Sequence, residues 1–327
     1  MADAEKVFRI LPSQLQLASL HPQMVNVDAQ RDSLLAPVNW CFRFGDQILL
    51  HCFHLGSNPD LGIADVQSAY GYGGPLSNSD DCDFLQMADH AFEQWAHEHA
   101  VVAEFLRFHP LVPHKNWYSG EIAENRETVL IDLRSELLGQ YQNRRRTDVR
   151  RFVESGIKVE RVSPQAMKRE FPDIYFENMK QVGATRDYYF PESFFTALFQ
   201  FGMCENWLAF AGSRAVAGAV ILASPIAQVA EYFLGAQAKD AEQAKATIGL
   251  LHVAATYYKS LDFKSLYLGG GRSIAENDSL LFFKKGFSAN TAQFQTGSKV
   301  YASQHYLQLK NAFPEKAATG HVLFYKS

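Results

Sequence analysis

The sequence predicts an α/β protein with mixed sheets, divided into two domains. Three observations carry that expectation. Short β-rich runs alternate with runs at helical spacing along the whole chain. From residue 193 the order is helix, three-strand meander, helix, strand, helix, strand, which builds a mixed sheet rather than a repeated Rossmann series. The chain has 327 residues, 47% hydrophobic and 20% charged, enough for one large core or two ordinary ones.

The elements follow in order. "PVNWCFRFGDQILLHCFHLG" reads as a hairpin near residues 38 to 54, turning at Gly45-Asp46. "DDCDFLQMADHAFEQWAHEH" has acids in its first turn and Phe84, Met87, Phe92 and Trp95 on one side, so it is a helix. "VVAEFLRF" is a strand stopped by His109-Pro110, and "TVLIDL" is another strand. "RSELLGQYQNRRRTDVRRFVESG" is expected to be one helix ending at Gly156, and "KVERV" a short strand. "SPQAMKREFPDIYFENMKQVG" starts on Ser-Pro and contains Pro172, which predicts a broken helix or two helices. Then come the helix "SFFTALFQFG" and the strands "WLAFAG", "AVAGAVILAS" and "AQVAEYFLGA". The helix "DAEQAKATIGLLHVAATYYKSL", the strand "SLYLGGG", the helix "DSLLFFKKGF" and the strand "AQFQTGSKV" complete the order. A domain boundary is expected near Leu133 to Arg134, giving 1–134 completed by 300–327, and 135–299.

Charge and leader patterns narrow the functional classes. Lys+Arg 31 against Asp+Glu 35 gives a net charge of -4, so no overall basic footprint exists for DNA. "MADAEKVFRILPSQ" lacks the long apolar run of a secretory leader. No apolar stretch approaches the ~20 residues that an integral membrane segment needs. Cys41, Cys52, Cys82 and Cys204 are scattered without a CxxC pair, which reads as free thiols in a reducing cytoplasm. A cytoplasmic protein is the expectation.

Several constellations are candidates for chemistry. In "LYLGGGR" a strand runs into three glycines around Gly270, either to cradle a phosphate or to make a tight turn with close backbone approach. On the helix from Ser135, Arg145 falls on the stripe of Leu138, Tyr141, Val149 and Phe152, while Arg144 and Arg151 lie on another face. A guanidinium on an apolar stripe needs a carboxylate or phosphate partner, and Asp148 is one candidate. His51 and His54 of "HCFH" lie three apart, which on a strand sends them to opposite faces and argues against a metal site. "YGYGGP" sets Tyr70 and Tyr72 beside Gly73 and Gly74, a rigid turn or a seat for a sugar, base or acyl group. In "FFKKGF", Lys284 and Lys285 interrupt phenylalanines, and helix phase alone does not choose which of them faces inward.

Taken together, "YGYGGP", "FLRFHPL", "TVLIDL", "RRRTDVRRFVESGIKV", "VAGAVIL", "VAEYFLGA", "LYLGGG" and "DSLLFFKKGF" resemble, in order, Fem-type peptidoglycan-bridge aminoacyltransferases and related GNAT-like acyltransferases. The resemblance spans roughly residues 65 to 300. It implies two GNAT-like domains facing across a cleft. It also implies acyl transfer from an activated ester or thioester to an amine, with no metal and no bound cofactor. The donor would be an aminoacyl-tRNA or an acyl-CoA serving as co-substrate. The acceptor would be a small molecule, peptide or sugar-nucleotide amine of the cell envelope, compatible with peripheral membrane association. Lys284 matches the family lysine beside the reacting centre, where a cation stabilises an oxyanion. Tyr232 falls where the family presents a tyrosine to the channel, with core packing as the alternative. Arg186, in "ATRDYYF", matches a substrate-facing arginine.

Departures from the family pattern open alternatives. His109 stands where family members tend to carry an acid, so it handles a different acceptor or acts as a base. The chain has no long charged helical hairpin and no Q/R-x-x-G-x-G/A signature, "QAKATIG" lacking the glycine pair. A CoA-dependent N-acyltransferase of surface-glycan synthesis and a non-catalytic GNAT-like binding protein remain the alternatives.

Overall fold

The structure is a computed structural model and describes residues 2–241, 244–273, 275 and 277–326. The chain divides into two compact units, Met1–Asn125 with Phe294–Ser327, and Arg126–Gln293. In chain order the elements are α1 (Ala2–Ile10), α2 (Pro22–Asp28), β1 (Leu35–Phe44), β2 (Gln47–Asn58), β3 (Ile63–Gln67), β4 (Leu76–Ser77), α3 (Cys82–Glu98), β5 (Val101–Phe108) and β6 (Glu121–Asp132). They continue with α4 (Leu137–Gln140), α5 (Asn143–Glu154), β7 (Lys158–Val162), α6 (Pro164–Gln181), α7 (Glu192–Gln200), β8 (Cys204–Ala211), β9 (Arg214–Ser224) and β10 (Val229–Gln237). Last come α8 (Ala246–Ser260), β11 (Ser265–Gly270), α9 (Ser279–Lys285), β12 (Thr291–Val300), α10 (Ser303–Ala312) and α11 (Pro314–Ala317).

The first unit orders its strands β1-β2-β3-β5-β12. The pairs are antiparallel except β3 with β5. Gly45, at φ +59, makes the tight hairpin turn that sets Phe44 opposite Gln47. On α3, Asp81 caps Phe84 N at 2.8 Å, and the buried face is Phe84, Ala88, Phe92 and Ala96. Met87 is 39% exposed, against expectation, because a straight i, i+4 stripe meets the sheet and position 87 leaves it. The C-terminal helices lie in this unit, where Leu309, Phe324 and Tyr325 pack with Ile63 and Val102.

The second unit orders its strands β6-β11-β10-β9-β8-β7, antiparallel except β10 with β11. The TVLIDL segment belongs here, with Thr128 to Asp132 paired to β11. Strand β9 is buried from Ala215 to Ser224, the continuous apolar run of a central strand covered on both faces.

Three helix expectations are corrected. The helix from Ser135 breaks into α4 and α5, because Tyr141 and Gln142 are extended. That break seats the buried Tyr141 ring against Phe287 at 5.2 Å and brings its hydroxyl to 3.2 Å from His252 Nδ1. It also turns Leu138 outward, so Leu138 drops from the apolar stripe. Helix α6 runs unbroken through Pro172, with Phe171, Ile174 and Tyr175 all buried around it; core packing outweighs one lost backbone bond. Helix α8 starts at Ala246 instead of Asp240, after Lys245 in the left-handed region at φ 58. Of the expected first turn, Glu242 and Gln243 lie outside the described residues.

Candidate functional site

The parallel pair in the second unit opens. Strands β10 and β11 are in register only over Val229–Glu231 with Ser265–Tyr267. A bulge between Tyr232 and Leu234 re-aims β10, and a second between Tyr267 and Gly269 re-aims β11. Beyond the separation lies a cleft of about 520 Å³, lined by the end of β10, the start of α8, parts of α5 and α6, and α9. Splayed parallel strands leave backbone groups unpaired, and such groups are available to a ligand.

The cleft wall carries four cations, Arg144, Arg145, Lys245 and Arg272, against one acid, Asp148. Tyr232 lines it half-buried, and burial pushes its phenol up, so the hydroxyl stays protonated. At the mouth of α8, Gln237 Oε1 accepts from Thr247 N at 3.3 Å and from Thr247 Oγ1 at 2.9 Å.

Arg145 is buried and Arg144 and Arg151 are exposed, as the helix phase requires. Its guanidinium meets Asp148 Oδ2 at 3.2 Å and donates to Phe283 O at 2.7 Å. It also lies 4.7 and 4.6 Å from the Phe283 and Phe287 ring centres. Burial lowers its pKa while Asp148 opposes the shift. Gly286 is small for this reason, since a Cβ there would come within 2.7 Å of the guanidinium. Arg145 therefore ties α5 to the end of α9 and forms part of the cleft wall.

Lys284 is buried, and its Nζ donates to Gly270 O at 2.7 Å. Burial drives its pKa down to about 7, against the pull of the Asp278 charge. Lys284 is not among the residues lining the cleft. Lys285 points outward and pairs with Glu127 at 2.6 Å. The three glycines make the turn that this arrangement needs. Gly269 takes φ +76, and a Cβ on Gly271 would overlap the Asp278 carboxylate. Asp278 caps α9 through Leu281 N at 2.8 Å and holds the turn through Arg272 N at 2.8 Å and Ser273 N at 3.0 Å.

The other residues singled out on sequence lie elsewhere. Arg186 sits exposed in the loop after α6 and does not line the cleft with Tyr232. In the first unit His109 is buried, accepts from Leu111 N at Nδ1 (3.2 Å) and meets the Tyr72 ring edge-on at 4.7 Å. Tyr70 N donates to Asp28 Oδ2 at 2.8 Å. Gly73 N donates to Arg107 O at 2.8 Å, and a Cβ on Gly74 would reach the Phe108 ring at 2.8 Å. The "YGYGGP" segment thus stitches the β3–β5 pair where the corresponding pair in the second unit opens. His51 faces Glu104 and His54 bonds Asp28, on opposite faces of β2. Among the described residues no group of three or more His, Cys, Asp or Glu side chains could hold a metal, and no helix is long and apolar enough to cross a membrane. Sequence reasoning missed Arg272 and Lys245 in the cleft wall, and Asp278 as the brace of the glycine turn beside it. The signal for Arg272 was its place directly after the glycine turn; Lys245 carries none.

The second unit is thus an α/β unit in which a strand meander, a helix and a splayed parallel strand follow one another. No family model matches the sequence, and no curated protein does. In structure the chain is similar to FemX, at TM-score 0.73 and 12% identity, covering 94% of this chain and 98% of that one. It is also similar to the C-terminal domain of a lysylphosphatidylglycerol synthetase from Agrobacterium fabrum, at TM-score 0.61 and 13% identity over 95% of each chain. L-PGS from Bacillus licheniformis matches at TM-score 0.61 and 10% identity over 98% of each. The likeness is one of fold, and it runs nearly end to end.

Proposed function

We infer that the protein is an acyltransferase that moves an acyl or aminoacyl group from a phosphate-bearing activated donor to an amine. The observation that carries this reading is the opened β10–β11 pair with Tyr232 at the bulge and cations around the cleft. Aminoacyl-tRNA and acyl-CoA, the two donors the sequence resemblance implies, both bring phosphates. Arg144, Lys245 and Arg272 suit those phosphates, since exposed or half-buried cations attract anions without the cost of deep burial. The reacting carbonyl would then lie near Tyr232, whose protonated phenol is a donor for a developing oxyanion. Lys284 would act once its ammonium leaves Gly270 O for the substrate. The acceptor would be an envelope-precursor or saccharide amine, as for the Fem-type proteins that the sequence resembles.

A second reading is a GNAT-like binding protein without chemistry. It is favoured by one observation: Lys284 and Arg186 do not line the cleft with Tyr232. A thermal-shift series against acetyl-CoA, an aminoacylated minihelix and phosphate-free pantetheine separates these readings from no function at the cleft. A donor with phosphates is expected to raise Tm and pantetheine is not, because only a ligand of the native state stabilises it. Absence of a shift with both donors at millimolar concentration overturns the donor-cleft reading. Binding without transfer to any amine acceptor leaves the binding-protein reading in possession.

A further inference from the structure

The first unit holds a pocket of about 180 Å³ between α3 and the sheet, unrelated to the cleft of the second unit. Its polar groups fall into two sets. Asp89 is already neutralised: Lys299 Nζ lies 2.7 Å from it and 2.9 Å from Glu93, and Ser119 Oγ donates to Asp89 at 2.6 Å. Glu104 is different. It is 1% exposed, the Tyr118 and Tyr301 hydroxyls are set against its carboxylate, and no cation among the described residues bonds it, His51 Nε2 standing 3.9 Å away, beyond bonding reach. His51 Nδ1, on a side chain 4% exposed, lacks a partner. Glu104, His51 and Tyr118 all line this one pocket.

The remaining wall is aromatic: Phe92, Trp117 and Tyr301 join Tyr118. Trp117 is fixed by a 2.7 Å bond from Nε1 to Asp80. Buried charges are ordinarily paired, and a buried carboxylate with hydroxyl neighbours but no bonded cation is costly. A carboxylate set among ring faces is complementary to an organic cation.

We propose that this pocket binds a primary ammonium on a short aliphatic stem. Such a group brings a positive charge and three N–H donors for the Glu104 carboxylate, His51 Nδ1 and the oxygen of Tyr118, whose own hydrogen turns to Glu104, while its carbons lie against the rings. A quaternary ammonium has charge but no donor, and an alcohol has a donor but no charge. The assignment rests on residues of the first unit alone and stands whether or not the second unit transfers acyl groups.

The test is calorimetric titration of the full chain with n-butylammonium, n-butanol and tetramethylammonium, with Trp117 fluorescence as a second readout. Saturable binding is expected for n-butylammonium, with the other two at least about tenfold weaker, the size of one charge-assisted hydrogen bond. Glu104→Gln is expected to weaken n-butylammonium by roughly tenfold or more. Ala88→Leu, which fills the pocket from α3 and keeps the carboxylate, is expected to abolish binding. The wild-type probe series decides the matter even where a variant does not fold. No saturable binding at tens of millimolar, equal binding of n-butanol or tetramethylammonium, or a folded Glu104→Gln with unchanged affinity each overturns the proposal.

Discussion

Lys284 Nζ donates to the carbonyl of Gly270 at 2.7 Å, so a lysine in the last turn of α9 closes onto the end of β11. The bond satisfies one of three ammonium donors, and the burial around it favours the neutral amine.

That burial has a pH signature. The folded pKa is lowered to about 7 from 10.5, so the unfolded chain binds more protons between those values. Wild-type stability therefore gains with rising pH across that window, and the penalty is complete below it. Lys284→Met removes the penalty. Its Tm advantage over wild type is expected to be larger at pH 6 than at pH 9, by differential scanning calorimetry. An advantage that does not shrink with pH would show that Lys284 is not the buried amine described here.

If Lys284 also acts on substrate, Lys284→Met lowers turnover by about a hundredfold or more, whereas Lys285→Met, which breaks only the surface pair with Glu127, changes little. Steady-state kinetics with an identified donor checks this. Unchanged turnover in Lys284→Met ends the catalytic assignment.

Arg145→Leu leaves Asp148 buried without its cation and Phe283 O without its donor. A loss of roughly 3–5 kcal/mol is expected in urea unfolding. Arg145→Leu combined with Asp148→Leu is expected to recover part of it, since the stranded charge is gone. A single variant as stable as wild type would mean that the pair contributes nothing.

Gly249→Ala tests how α5 meets α8. A Cβ at 249 would overlap the buried Phe152 ring. The expected cost is about 1–3 kcal/mol, the range for overpacking, and it should shrink in a Phe152→Leu background. Equal costs in both backgrounds would rule out that contact as the cause.

Much of the fold is legible residue by residue. The Gly45-Asp46 turn, the start of α9 at Asp278 and the inward phase of Arg145 depend on interactions within four or five positions, and local spacing contains them. The β10–α8–β11 order is legible for the same reason.

What the tertiary structure alone decided depends on distant partners. Tyr141 breaks its helix because Phe287 and His252 receive its ring and hydroxyl. Helix α6 crosses Pro172 because the core holds Phe171 and Tyr175 on either side of it. Arg145 finds Phe283 O, 138 residues along the chain, as well as its local Asp148. Helix phase left Lys284 and Lys285 equivalent; Gly270 O and Glu127 tell them apart. Arg186 and Tyr232 carried similar promise on sequence, yet only Tyr232 lines the cleft, because a bulge in β10 turns the chain there and no local rule announces where two parallel strands part.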